Sequence, residues 1–252
     1  MAKGGCFMDQ MADKIKSILR GNSGIVALGG VNVIREAGLN GVRCEQLAYD
    51  IEQKYGYDND EIISSPFFSR RSDIFYDYYK NVILNRDEIQ PTNVHKALYK
   101  LQQDGKLNAV ITRTVYGLYK KAGIQNVIEM MGSAEENRCP NCGKVFGIDY
   151  IKHAKDIPCC DQCQVPLRPG FVLLGEMVDN GRMSQSCNAV EQAKVLLILG
   201  ASIRSPLCQY VVKYYTGDKM ILINDQPEDG DELAQYRLYG NMNEIVPYIV
   251  DF

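Results

Sequence analysis

Six short runs of this chain are almost continuously apolar: 24–28 (GIVAL), 107–112 (LNAVIT), 126–130 (NVIEM), 171–174 (FVLL), 195–199 (VLLIL) and 220–223 (MILI). Continuous rather than alternating apolarity is what strands covered on both faces look like, so each run predicts a buried strand. Helical patterns lie between several of them. Over 9–20, Met11, Ile15, Ile18 and Leu19 share one face and Gly21 is placed to cap the end. Over 93–103, Val94, Ala97, Leu98 and Leu101 do the same and Gly105 ends the helix. Strand–helix alternation of this kind predicts an α/β fold with a parallel, doubly wound sheet.

The remaining composition narrows the class of function. With 252 residues, 46% apolar and 23% charged, the chain can bury a sizeable core, which excludes intrinsic disorder. No window approaches the eighteen or so consecutive apolar residues of a membrane span. The first residues lack the apolar run of a secretory leader, so the cytoplasm is the expected location. A net charge of −3 without a long Lys/Arg block gives no electrostatic reason to expect nucleic acid. Nine cysteines, an odd number, point to thiolates or metal ligands before a disulfide framework.

Two segments interrupt the strand–helix rhythm. Residues 44–90 hold nine aromatics, among them Phe67, Phe68, Phe75, Tyr76, Tyr78 and Tyr79, and predict a small helical module with its own core. Residues 138–169 carry two C-x-x-C pairs, Cys139/Cys142 and Cys160/Cys163, with seventeen residues between Cys142 and Cys160. Each pair on a tight turn aims two thiolates at one tetrahedral centre, as in a zinc ribbon. Four thiolates close the coordination sphere, so the metal is expected to be structural. Cys159 adjoins Cys160, but the C-x-x-C spacing favours Cys160; Gly143 suits a turn that needs positive φ. Cys6, Cys44, Cys187 and Cys208 show no such arrangement.

In an open parallel sheet, ligands bind outside the carboxyl ends of the strands. Those ends here read Gly29-Gly30-Val31-Asn32, Thr112-Arg113-Thr114, Met131-Gly132-Ser133, Gly200-Ala201-Ser202 and Asn224-Asp225. Small and hydrogen-bonding residues at several ends suggest a nucleotide site, with the glycine pair letting backbone N–H groups approach phosphate. There is no G-x-G-x-x-G, and a glycine pair after a strand is also an ordinary tight turn.

Several motifs in order carry a specific resemblance. Asn93-Val94-His95, the 107–112 run, Ala122-Gly123, Asn126-Val127-Ile128-Glu129, Gly132-Ser133, the four cysteines, Leu167-Arg168-Pro169, Gly175-Glu176, Gly200-Ala201-Ser202 and Ile223-Asn224 together resemble the sirtuins. The likeness runs from about Ile25 to the C-terminus. It implies a Rossmann-type NAD-binding domain formed by 9–43, 91–137 and 170–252. It also implies a small domain made of a helical module, 44–90, and a zinc-binding part, 138–169. Sirtuins are NAD-dependent protein deacylases, so the resemblance implies NAD and an acyl-lysine protein or peptide as partners, with zinc as a structural metal. In the family the acyl oxygen attacks the nicotinamide ribose, nicotinamide leaves, and a histidine then acts as general base through the ribose hydroxyls. The cofactor positions carried over are Gly29, Gly30, Val31, Asn32, Arg35, Val42, Arg43, Arg113, Thr114, Val115, Tyr116, Gly200, Ala201, Ser202, Asn224 and Asn241.

Around the nicotinamide ribose, the chain departs from the family. The Leu-His-Gly motif that carries the general base reads Met130-Met131-Gly132, and a thioether takes no proton at neutral pH. Loss of such a base typically costs about 10²–10⁴-fold. Gly-Ala-Gly reads Gly30-Val31-Asn32, Asp-Phe-Arg reads Gly41-Val42-Arg43, Thr-Gln-Asn-Ile-Asp reads Thr112-Arg113-Thr114-Val115-Tyr116, and Gly-Thr-Ser reads Gly200-Ala201-Ser202. His95 is expected to be structural, and His153 lies in the cysteine segment. Tyr116 and Tyr119 are expected to fill the emptied pocket. Phe-Gly-Glu reads Leu174-Gly175-Glu176, which keeps the strand expected to pair with a peptide. The expectation is therefore a sirtuin-type NAD-dependent deacylase with impaired chemistry. The alternatives are a catalytically inactive NAD- or ADP-ribose-binding module, a divergent ADP-ribosyltransferase, and a zinc-held interaction scaffold.

Overall fold

The computed structural model describes residues 3–37, 39, 45–85 and 89–252. Its strands in chain order are β1 (Ile25–Gly29), β2 (Leu107–Thr112), β3 (Val127–Glu129), β4 (Asn137–Arg138), β5 (Val145–Phe146), β6 (Val195–Leu199), β7 (Met220–Asn224) and β8 (Tyr236–Tyr239). Six of them form one sheet in the order β3-β2-β1-β6-β7-β8, and every neighbouring pair in it is parallel. β4 and β5 form a separate antiparallel pair in the cysteine segment.

Parallel strands need covered faces, and the alternation within each strand supplies both. Ile25 and Ala27 of β1, with Leu197 of β6, pack with Ile15 and Leu19 of helix Lys3–Gly21, Leu98 of helix Asn93–Gln103 and Val246 of helix Met242–Val250. Val26 and Leu28, with Leu196 and Ile198, pack on the other side with Val190 of helix Asn180–Glu191 and Val211 of helix Pro206–Val212. All positions of β1, β6 and β7 are buried. The doubly wound sheet read from the apolar runs is therefore the observed one. Among the described residues, no helix is long and apolar enough to cross a membrane.

One expected strand is absent from the sheet. Residues 171–174 make only isolated bridges, Gly132 with Phe171 and Ser64 with Leu174. The run is apolar because Leu173 and Phe171 join the aromatic cluster, not because it lies between strands. The expected separate core of the helical module also needs correction. Phe67, Phe75, Tyr76 and Tyr79 pack in one cluster with Cys139, Phe146, Ile151, Cys160 and Leu167 of the cysteine segment. The Tyr79 hydroxyl donates towards Asn137 Oδ1 (3.0 Å), and Lys80 Nζ donates to the carbonyls of Ala154 and Asp156 (2.6 Å each). Helices and cysteine turns thus share one apolar interior.

His95 lies in the first turn of helix Asn93–Gln103, fully buried against the Tyr119 ring (centroids 4.5 Å apart). Its Nδ1 accepts from the Thr92 N–H (3.2 Å), as the third helical residue of a capping box does. Burial pushes its pKa down to about 4. An unfolded chain takes up a proton near pH 6.5 that the folded chain refuses, so stability is lost as pH falls from 6.5 towards 4. Denaturant titrations of the zinc-free-buffer protein between pH 7 and 4.5 should therefore show a loss that His95→Gln, which keeps a capping acceptor, reduces. Equal losses in both proteins would place the titration elsewhere.

Candidate functional site

The strand order reverses between β1 and β6, with β2 on one side and β7 on the other. This is the position where open parallel sheets form their ligand crevice. The carboxyl ends are in register there: Gly29 faces Thr112 on one side and Leu199 on the other. The glycines are required by space. A Cβ at Gly30 would meet Gly200 O at 2.1 Å, and one at Gly29 would meet the Tyr119 hydroxyl at 2.0 Å. Gly200 has φ +60°, a conformation open to glycine at little cost. Gly30 N–H donates to Leu199 O (2.8 Å) and Asn32 N–H to Gly200 O (3.1 Å), so the loops after β1 and β6 are laced together.

Side chains cross this crevice in two places. Arg113, just past β2, sends Nη1 over the end of β1 to Ser205 Oγ beyond β6 (2.8 Å). From the 3-10 turn Val31–Ala37, Asn32 Nδ2 and Arg35 Nη1 reach Asp225 past β7, at 3.4 Å each. Asp225 was read only as a strand end, and Ser205 not at all. Both take part through contacts that span long sequence separations and leave no local signal.

Buried polar atoms at the crevice are only partly used. Asn224 is fully buried and donates through Nδ2 to Ala201 O (3.3 Å), but its Oδ1 has no partner. Arg113 Nε is likewise buried and unpaired. An unused buried acceptor and an unused buried donor above a glycine floor suit a ligand that carries both hydroxyl groups and an anion. A dinucleotide such as NAD has that composition.

The remaining expected site residues divide. Val31 is half exposed at the mouth, and Ala201 and half-buried Ser202 lie in the β6 loop. Thr114 is turned back on Thr112 through a hydroxyl contact of 2.9 Å. Val115 and Tyr116 pack in apolar clusters away from the glycines. Tyr116 borders a cavity of about 100 Å³ with Ile83, Leu118, Ala134 and Glu135, while Tyr119 is fully buried. Asn241 stands at the same sheet edge, but its side chain caps helix Met242–Val250 through the Asn243 N–H (2.9 Å). Val42 and Arg43 lie outside the described residues, as does Cys44.

Met131 follows β3 on a turn fixed by Gly132, whose φ is +81°. A Cβ at Gly132 would meet Gly170 O at 2.2 Å, and the Val172 N–H donates to Met131 O (2.8 Å). The backbone of this turn is held as firmly as a catalytic position requires, but the side chain on it is a thioether. Neither histidine lies at this turn: His95 is buried in the first turn of helix Asn93–Gln103, and exposed His153 ends the short helix Ile148–His153 of the cysteine segment.

The four cysteines converge. The sulfurs of Cys139, Cys142, Cys160 and Cys163 lie within 4.8 Å of one another. Each pair sits on the same turn: the Cys142 N–H points at Cys139 Sγ and the Cys163 N–H at Cys160 Sγ, both at 3.5 Å. The residue after each pair takes positive φ, Gly143 at +73° and Gln164 at +57°. Burial opposes ionisation of Cys139, but the N–H groups of Cys142 and Asn141 outweigh it and bring its thiol down to about 7. Hydrogen bonding to Cys142 and burial push Cys163 up to about 12. Four such sulfurs ionise together only around a dication, and an all-thiolate tetrahedral set fits structural zinc. Cys159 instead points at the Ile157 carbonyl (3.5 Å) and stays outside the cluster. Cys160→Ser should accordingly lose bound zinc and lower the melting temperature, whereas Cys159→Ser should keep one zinc per chain, as read by elemental analysis. Zinc loss in Cys159→Ser alone would reassign the fourth ligand.

Comparison with known proteins agrees with this geometry. The model of the Sir2 family matches residues 30–205. The NAD-dependent protein deacetylase of Clostridium tetani is 32% identical over 238 residues, covering 94% of this chain and 96% of that protein. The NAD-dependent protein deacetylase of Clostridium acetobutylicum is 30% identical, covering 94% and 97%. Among solved structures, a Sir2 homologue in complex with NAD superposes with a TM-score of 0.82 at 27% identity, over 95% of this chain and 92% of that one. A Sir2 protein with a deacetylated peptide and 3′-O-acetyl ADP-ribose gives 0.80 at 25% identity, over 95% and 97%. The chain belongs to the Sir2 family, the sirtuins.

Proposed function

We propose that this chain binds NAD in the crevice between β1 and β6, and that its protein-lysine deacylation is slowed by the loss of a general base at Met131. Bound NAD would supply the ribose that takes the acyl group as an ester on a hydroxyl oxygen, with nicotinamide as the leaving group. Gly29, Gly30 and Gly200 let Tyr119 and the loops after β1 and β6 pack closely under the crevice, Asn224 offers Oδ1 to a hydroxyl donor, and Arg113 offers Nε to an anion. The acyl-lysine belongs beside the Met131 turn, where residues 170–174 run between that turn and Ser64. Leu174 is already bridged to Ser64 on one side: the Leu174 N–H donates to Ile63 O (3.0 Å) and Leu174 O accepts from the Ser65 N–H (2.9 Å). None of the seven cysteines whose side chains are described forms a disulfide, which suits the reducing cytoplasm as the working compartment.

The observation that carries this reading is the Met131 turn. Its backbone is pinned by Val172 and by positive φ at Gly132, while its side chain holds and moves no proton. Departure of nicotinamide needs no base at this position, but the later deprotonation does, so the first part of the reaction should outlast the second. The test is nicotinamide release from NAD by zinc-loaded protein, with and without an acetyl-lysine peptide, beside formation of deacetylated peptide. Peptide-dependent nicotinamide release with deacetylation about 10²–10⁴-fold below that of Met131→His is the expected result. Equal deacetylation by both proteins would show that another group serves as base. Silence of both would leave nucleotide binding without turnover.

A further inference from the structure

Arg113 is a cation with no carboxylate partner among the described residues. No salt bridge involves it among the described residues. Its only side-chain hydrogen bond is Nη1 to Ser205 Oγ, a hydroxyl that donates in turn to Ser202 O (2.8 Å). Nε is buried and unpaired, and the residue as a whole is largely covered. The carboxylates at the sheet edge are committed elsewhere: Asp225 to Arg35, and Glu129 to Lys120 at 2.6 Å. Covering part of a guanidinium, its Nε included, costs free energy unless an acceptor or anion joins it.

Its position identifies the anion. The Arg113 N–H donates to Gly29 O (3.3 Å), and the side chain then passes over the end of β1 to the loop after β6. It therefore straddles the crevice beside Gly29 and Gly30, the place where a parallel sheet takes the phosphates of a nucleotide. Val31 and Asn32 add side-chain bulk immediately after those glycines, and Asn32 N–H is already spent on Gly200 O. The backbone donors left for a phosphate are fewer than a small-residue turn offers, and a planar fork of N–H donors is the group best able to replace them.

We propose that Arg113 is the phosphate-reading residue of this site, taking the ligand's pyrophosphate through Nε and its outer nitrogens with Ser205 holding the guanidinium in place. The proposal rests on the nucleotide-binding reading above. It makes the phosphates, more than the adenosine or pyridine ends, the part of the ligand this chain depends on.

The test is calorimetric titration of the zinc-loaded full chain with ADP-ribose, adenosine, NAD and the nicotinic-acid analogue of NAD, for the wild type, Arg113→Gln and Arg113→Lys. Arg113→Gln should weaken ADP-ribose by about 10- to 100-fold and leave adenosine unchanged, with a shallower salt dependence than the wild type. Arg113→Lys, which keeps the charge and stem but loses the fork, should fall between and serves if the glutamine variant does not fold. Equal ADP-ribose affinity in wild type and variants overturns the proposal. So does a variant effect confined to the nicotinic-acid dinucleotide, which would make a carboxylate the anion. If the wild type binds none of the four ligands, the nucleotide site itself is wrong; binding that ignores Arg113 removes only this assignment.

Discussion

The contact between the loops after β1 and β6 is the constraint on which the rest of the molecule depends. Gly30 lies so close to Gly200 and Ala201 that no side chain fits, and two backbone hydrogen bonds, at 2.8 and 3.1 Å, lace the loops together. This closure makes β1 and β6 neighbours at the point where the winding of the sheet reverses. It brings Asn32, Arg113 and Asn224 to one edge. Packing and ligand approach thus demand the same residues. A chain that must fold through this contact keeps its glycines whatever becomes of its chemistry.

The second organising element is the interior shared by the aromatic helices and the cysteine turns. Cys139 and Cys160 are metal-ligand positions and also buried members of the cluster that includes Phe75, Tyr79 and Phe171. Phe171 is bridged to Gly132, the residue after Met131. The zinc site is therefore connected by continuous packing to the Met131 turn, although it sits outside the crevice. A structural metal under this arrangement steadies the Met131 turn as well as the cysteine turns, and its loss is expected to act on both.

Legibility in the sequence followed the range of the interactions. Five of the six sheet strands appeared as apolar runs, three of them buried at every position, and the zinc ligands appeared as spacing, because both are local patterns. Residues 171–174 have the same apolarity for a different reason, burial among rings, and composition does not separate the two. β8 escaped because Tyr236-Arg237-Leu238-Tyr239 is an edge strand whose run is broken by exposed Arg237. Both cysteine turns are legible from spacing, but the positive φ after the second is not, because Gln164 stands where the first turn has Gly143, at a conformational cost of about 1–2 kcal/mol that the closed cluster offsets. The Arg35–Asp225 and Arg113–Ser205 contacts join residues far apart in sequence, and no window of the chain contains them. The family resemblance supplied the order of the motifs, while the charge balance at the crevice emerged only from the assembled structure.

Hydrogen exchange of the zinc-loaded chain, with and without ADP-ribose, addresses the site most directly, because it reports where a nucleotide is felt without requiring turnover. Slowed exchange concentrated in residues 29–35, 112–114, 200–205 and 224–225 is the expected result. Unchanged exchange in those loops at saturating nucleotide, or protection centred on residues 138–169, would contradict a nucleotide site between β1 and β6.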